Sequence, residues 1–312
     1  MMNTDKQLIY GCMGLGGSWD NSPLTNENQK KADEVLEAVI ANGITYFDHA
    51  DIYSLGKAEK AFGNFLKRHA SVREKIFIQS KTGIELFVGP FGSSRYNLSQ
   101  TYISKQVDVI LKRLNVDYLD ALLFHRPDPL TSMEELANTV ELLKTSGKVR
   151  SFGVSNMSTA QIAHLQSFLD EPLIGNQIKL SLAHSMLLDL EIWVNRGEAP
   201  QQSGLDGLLS YAAQNNLIVQ AYSPLAQGLY AKSEVENDKA TKQLLQEMAE
   251  KYQSSVSGIL LAWLWKISGN IVPIIGTTNV QRIEDSVKAM QVELSREDWY
   301  ALWIQAKGVK FP

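Results

Sequence analysis

The sequence predicts an α/β fold, a single (β/α)8 TIM barrel spanning residues 1–312. Three observations carry that expectation. Eight short apolar runs alternate with longer stretches of helical spacing, which implies a parallel sheet joined by crossover helices. No linker rich in Pro, Gly or Ser divides the chain into halves. Residues suited to chemistry recur at the C-terminal ends of many of the strands, as in a barrel site, whereas a doubly wound sheet gathers its site at one switch point.

The elements follow in order. Strands are expected over 8–12, 45–48, 76–80, 121–124, 151–154, 175–178, 218–222 and 271–275. Helical spacing covers 31–41, 59–70, 102–114, 133–146, 160–168, 205–215 and 240–252. Ser99 and Thr159 stand as N-caps, and Gly43 and Gly147 fall just past helix ends. The densest apolar run, 258–265, is far short of the roughly 20 residues that span a bilayer and reads as a buried helix. Trp263/Trp265 and Trp299/Trp303 sit at helical spacing and read as packing. Connections 87–98, 183–204 and 226–239 are long and leave successive strands at one end, as walls of a pocket would. Trp19, Phe87, Phe91, Met186 and Trp193 lie in rim loops and could line it.

Composition narrows the function. The 312 residues are 44% hydrophobic and 21% charged, enough to bury a large core without staples. Lys plus Arg (30) fall below Asp plus Glu (34), so no footprint for nucleic acid or an anionic membrane appears. The single cysteine, Cys12, forms no internal disulfide, and no apolar leader precedes Gly11, so a cytoplasmic location is the expectation. Gly14-Leu15-Gly16-Gly17 is not a dinucleotide fingerprint, because Trp19 stands where the third glycine belongs.

The chemistry concentrates after the second, third and fourth strands. Tyr46-Phe47-Asp48-His49-Ala50-Asp51-Ile52-Tyr53 puts a carboxylate at a strand end and a phenol in the loop beyond. Lys81 closes the third strand and His125 the fourth. Each has a bland reading alone: a cap, packing, a solvated strand end, a core histidine. Together they suit proton transfer to a carbonyl oxygen. A lysine cation lowers a neighbouring phenol's pKa from about 10, a carboxylate fixes the lysine, and an imidazole orients the substrate. His69, His164 and His184 lack metal spacing, and the chemistry needs no metal.

On these residues the sequence resembles the aldo-keto reductase superfamily, in its bacterial branch with short C-terminal tails. The motifs are Phe47-Asp48-x-Ala50, Ser80-Lys81, Asp120-Ala-Leu-Leu-Phe-His125-Arg-Pro-Asp128, and Gly147-Lys148-Val-Arg-x-x-Gly153-Val154-Ser155-Asn156. The resemblance implies an oxidoreductase passing hydride from NADPH to an aldehyde or ketone, with Asp48, Tyr53, Lys81 and His125 as the catalytic set. It implies an NADP(H) site in which Ser155, Asn156 and Gln177 hold the carboxamide and Tyr222 stacks on the nicotinamide. Ser223, Leu225, Gln227 and Gly228 would line the pyrophosphate, Gly276, Thr277, Thr278 and Arg282 the 2′-phosphate, and Asp285 the adenine. The chain departs from the family at Gly276, Asp285-Ser286 and Ser54. Two other functions stay open: an NADP(H)-binding regulatory or sensor subunit with little turnover, and a Schiff-base aldolase using Lys81. The expected partner is a small-molecule carbonyl substrate, whose identity the loops do not reveal, and oligomer partners are unknown.

Overall fold

The computed structural model describes residues 6–89, 92–192 and 204–311. Its strands are β1 (Ile9–Gly11), β2 (Tyr46–Asp48), β3 (Phe77–Thr82), β4 (Ile84–Glu85), β5 (Arg95–Tyr96), β6 (Leu119–Phe124), β7 (Val149–Ser155), β8 (Gly175–Lys179), β9 (Ile218–Tyr222) and β10 (Ile271–Ile275). Eight of them close into a barrel in the order β1-β10-β9-β8-β7-β6-β3-β2, the (β/α)8 fold that the alternation predicts. The ninth and tenth, β4 and β5, make a small antiparallel hairpin in one of the long connections.

The helices are α1 (Asn26–Ala41), α2 (Lys57–Arg68), α3 (Gln100–Leu114), α4 (Met133–Thr145), α5 (Thr159–Gln166), α6 (Met186–Ile192), α7 (Leu208–Asn215), α8 (Leu229–Lys232), α9 (Glu236–Lys251), α10 (Val256–Trp265), α11 (Val280–Lys288) and α12 (Arg296–Lys307). Their starts follow side-chain chemistry. Thr25, Ser99, Ser132, Ser255 and Ser295 each accept a first-turn amide. The cap expected at Thr159 falls one residue earlier, on Ser158. Gln161, three residues on, returns a bond to the Ser158 amide and completes a capping box that Thr159 could not form. Gly43 and Gly147 adopt positive φ just beyond α1 and α4, where the chain must leave the helix.

The chain forms two compact units. One comprises Ile9–Asn176 with Gly276–Val280; the other comprises the described residues of Met1–Leu8, Gln177–Ile275 and Gln281–Pro312. In the first, β6 is buried along its whole length, and Phe47, Phe62 and Phe124 pack with no exposure. In the second, Trp263 and Trp299 stack 5.2 Å apart, each indole N–H donating to the other's carbonyl (3.2 and 2.8 Å). Trp303 joins them edge-on, so three of the four indoles read as packing are core. Trp265 is half-buried instead and donates to the carbonyl of Gln7. No helix of the described residues is long and apolar enough to cross a membrane.

Candidate active site

Register builds the site. β2 pairs β3 with Asp48 opposite Gln79, and β3 pairs β6 with Lys81 opposite Leu123. Asp48, Lys81 and His125 therefore reach the same rim, and Tyr53 returns to it from a short 3-10 turn, Tyr53–Gly56. Lys81 is fully buried. Its ammonium donates to Asp48 Oδ1 (2.6 Å), Asp48 Oδ2 (2.7 Å) and the His49 carbonyl (2.8 Å), and is hydrogen-bonded to the Tyr53 hydroxyl. An ammonium only donates, so the Tyr53 oxygen is the acceptor and its own O–H is left for another acceptor. The Lys81 nitrogen lies 4.9 Å from the centre of the Tyr53 ring. The Tyr53 and His125 rings stand 6.4 Å apart at 83°. The four expected catalytic residues are brought together.

A second layer fixes Asp48. Gln79 Nε2 donates to Asp48 Oδ1 (2.6 Å), and Tyr46 donates its hydroxyl to Gln79 Oε1 (2.7 Å). Gln79 was legible only as a neighbour of Lys81. Its role follows from the parallel register, which sets it directly across from Asp48.

Burial dominates the electrostatics. It pulls the Lys81 ammonium down, but Asp48 and Tyr53 together more than offset this and leave the lysine above its ordinary pKa. A lysine held as a cation by a buried carboxylate is a poor nucleophile, which counts against Schiff-base chemistry at Lys81. Burial pushes the Tyr53 phenol up to about 12, although Lys81 pulls it down. Lys81 lowers the phenol as expected, by its charge and its hydrogen bond, but desolvation outweighs it, and the group stays protonated at neutral pH. Burial, then Lys81 and Arg126, hold the His125 imidazole well below its usual value, so it is neutral. Its Nδ1 is buried without a partner.

Behind the rim lies a further buried set. His49 is fully enclosed beside Phe62, and burial with Lys81 lowers it to about 3. Glu59 accepts from Ser80 (3.0 Å) and Arg113 (3.2 Å). Cys12 is buried, and desolvation raises its thiol well above the ordinary value, so it is an inert packing group.

Several of the expected coenzyme residues also lie at or just beyond strand ends. In the first unit, Ser155 ends β7 and is buried; Asn156 follows with φ of 57° and donates to Ser155 Oγ (2.8 Å). Gly276, Thr277 and Thr278 follow β10, and Tyr10 donates to the Thr277 carbonyl (3.1 Å). In the second unit, Gln177 lies in β8 and donates to Gln220 of β9 (3.0 Å). Tyr222 ends β9, and Ser223 (φ 53°), Ala226 (φ 48°), Gln227 (φ 54°) and Gly228 (φ 78°) wind through a left-handed turn beside Leu225. Arg282 is exposed on α11, and Asp285, one turn on, accepts from Gln281 (3.2 Å). Among the rim aromatics, Trp19 stands edge-on to Tyr53 (6.4 Å, 62°), Phe87 points largely to solvent and Met186 begins α6. Phe91 and Trp193 lie outside the described residues.

The family model for the Aldo/keto reductase family matches residues 7–303. The chain belongs to the aldo/keto reductase family. It is 35% identical to the oxidoreductase YcsN of Bacillus subtilis (strain 168) over 282 residues, covering 89% of each chain. It is 32% identical to a 6-dehydroglucose reductase of Agrobacterium fabrum over 305 residues, covering 97% of this chain and 94% of that one. The barrel also superimposes on an aldo/keto reductase from Klebsiella pneumoniae, solved in complex with NADP and acetate. There the TM-score is 0.72 at 24% identity, covering 95% of this chain and 90% of that one. These likenesses make this aldo/keto reductase an oxidoreductase.

Proposed function

We propose that this enzyme reduces an aldehyde or ketone with NADPH in the cytoplasm, the whole chain serving as one catalytic domain. The observation that carries the reading is the Lys81 ammonium shared between the Asp48 carboxylate, the His49 carbonyl and the Tyr53 hydroxyl, with His125 beside it.

The residues suit the coenzyme. Ser155, Asn156 and Gln177 supply hydroxyl and amide groups for a carboxamide that both donates and accepts. The turn from Ser223 to Gly228 has the left-handed backbone that presents amides to anions. Arg282, exposed on α11, can meet a 2′-phosphate bidentately, with Gly276, Thr277 and Thr278 nearby in sequence, and Asp285 faces the adenine on this reading. When bound, the coenzyme supplies hydride to the carbonyl carbon.

The side chains do the rest. His125, held neutral, donates an imidazole N–H to the carbonyl oxygen and aligns it. Tyr53 gives that oxygen its proton as negative charge builds there. A phenol raised to about 12 is a weak acid in the resting site, so transfer relies on Lys81, whose cation stabilises the phenolate left behind. Asp48 holds Lys81 in place and keeps it charged.

Tyr53→Phe tests the reading. NADPH should bind as before while turnover of a carbonyl panel falls by about 10²- to 10⁴-fold, the usual worth of a general acid. Undiminished turnover in the variant would sink the assignment. A wild type that binds NADPH and turns over nothing in the panel would instead favour a sensor subunit.

A further inference from the structure

The loop after β1 is tied to the first turn of α2 in a way that the catalytic set does not require. Ser54, at φ 47° where the family usually carries glycine, is fully buried and donates to the carbonyls of Leu15 and Gly17 (both 3.2 Å). Gly16 lies so close to α2 that a Cβ there would stand 2.6 Å from the Lys57 carbonyl carbon. Lys57 itself opens α2, where a cation opposes the helix dipole, and its side chain is almost wholly covered. Its head compensates by reaching three acceptors: the Asp20 carbonyl (3.0 Å), Asp20 Oδ1 (3.0 Å) and Ser22 Oγ (3.3 Å). Asp20 in turn gathers Ser18 Oγ (2.8 Å) and the Ser22 amide (2.9 Å) around its carboxylate. Trp19 sits inside that turn, half-exposed and edge-on to Tyr53.

We infer that Lys57 is a positioning residue for substrate choice: through Asp20 it fixes Trp19 edge-on to the Tyr53 ring, so that the site favours flat aromatic aldehydes over small aliphatic ones. The choice of substrate rests on the carbonyl-reductase reading above; the clamp does not. A tryptophan on an untethered glycine-rich loop would pay rotamer and backbone entropy each time it closed on a substrate. Three ammonium bonds on one side and one hydroxyl proton shared between two carbonyls on the other remove that cost beforehand.

The experiment compares wild type, Lys57→Met, Trp19→Ala and the double variant with benzaldehyde and propanal, using NADPH. Lys57→Met keeps the buried stem and removes only the head. Its kcat/KM for benzaldehyde should fall about tenfold, through KM rather than kcat, the worth of one well-placed aromatic contact. Its propanal turnover and NADPH affinity should be unchanged, and the double variant should be no worse with benzaldehyde than Trp19→Ala. In protein labelled with 5-fluorotryptophan, the ¹⁹F resonance of Trp19, assigned by its loss in Trp19→Phe, should move toward the solvent-exposed position in Lys57→Met. Equal loss with both aldehydes, additive effects in the double variant, or an unmoved Trp19 resonance would overturn the inference. If the wild type reduces neither aldehyde, the proposed function and its substrate choice fall, while the ¹⁹F shift still decides whether Lys57 clamps Trp19.

Discussion

Charge sits at both ends of the strands around β3 and β6, and the two ends are built to opposite purposes. At the N-terminal ends, Asp120 accepts from the Ile78 amide (2.9 Å) and forms ion pairs with Arg73 (3.0 Å) and Arg150 (3.7 Å). Both guanidiniums lie over the Tyr118 ring, their carbons 4.2 and 3.6 Å from its centre. Both carboxylate oxygens are engaged, and the arginine from β7 is largely solvated. At the C-terminal ends, Lys81 and Asp48 are sealed from water, the Tyr53 proton has no fixed acceptor on Lys81, and His125 Nδ1 has no partner. The structural cluster leaves the buried Arg73 Nε without a partner, but that guanidinium N–H has no proton to transfer at neutral pH. A cluster that reacts must keep a proton and an acceptor position uncommitted, and in a barrel such a site belongs at the C-terminal ends of the strands.

The sharpest way to break this contrast is Lys81→Met. It leaves Asp48 buried without its cation, so stability should drop by about 3–5 kcal/mol and turnover by about 10²- to 10⁴-fold. Lys81→Met combined with Asp48→Asn should recover most of the stability, because Gln79 still finds an acceptor, and none of the turnover. Urea unfolding alongside a carbonyl-reduction assay reads both. A double variant as unstable as the single one would mean that the lone carboxylate is not the source of the loss.

The opposite end should give the opposite pattern. Asp120→Ala strands the Ile78 amide and removes the Arg73 ion pair. A stability loss of about 2–3 kcal/mol is expected from the unpaired buried donor, with kcat unchanged. If kcat fell as far as in Lys81→Met, the division between a structural and a reactive end would be wrong.

The eight barrel strands were readable because each is an apolar run long enough to be buried, and two of them, β9 and β10, fall where the pattern puts them to the residue. The hairpin β4–β5 was not, because two-residue strands carry no period; nor was the short helix α8. The catalytic residues were readable one by one, since each ends a strand or opens the loop beyond. What their spacing could not convey was the balance between burial and charge at Tyr53. Proximity to Lys81 argues for a lowered phenol, and only the enclosed volume around it reverses the sign. Likewise Ser54 looked like a local departure from a glycine, whereas its hydroxyl bridges to carbonyls 39 and 37 residues earlier in the chain.

An effect confined to one pH window comes from Asp51, between Asp48 and Tyr53 in the chain and sharing features of both ends. Its Oδ2 accepts from Thr82 (2.6 Å), like a structural group, while its buried Oδ1 has no partner, like a reactive one. Burial raises the carboxyl to about 7, with Glu59 adding to the rise and Thr82 and Arg113 opposing it. In the unfolded chain an aspartate titrates near 3.9, so between about pH 4 and pH 7 the folded protein holds a proton that the unfolded chain has released. That proton stabilises the fold fully below pH 4, and the contribution fades as pH rises toward 7. Asp51→Asn, which mimics the neutral acid, should therefore flatten the decline of the urea midpoint across this window. A residual slope of the same sign should remain from Glu59, whose carboxyl burial also raises. An unchanged slope in the variant would mean that Asp51 keeps its charge, and that the unpartnered oxygen is then solvated in a way its burial does not suggest.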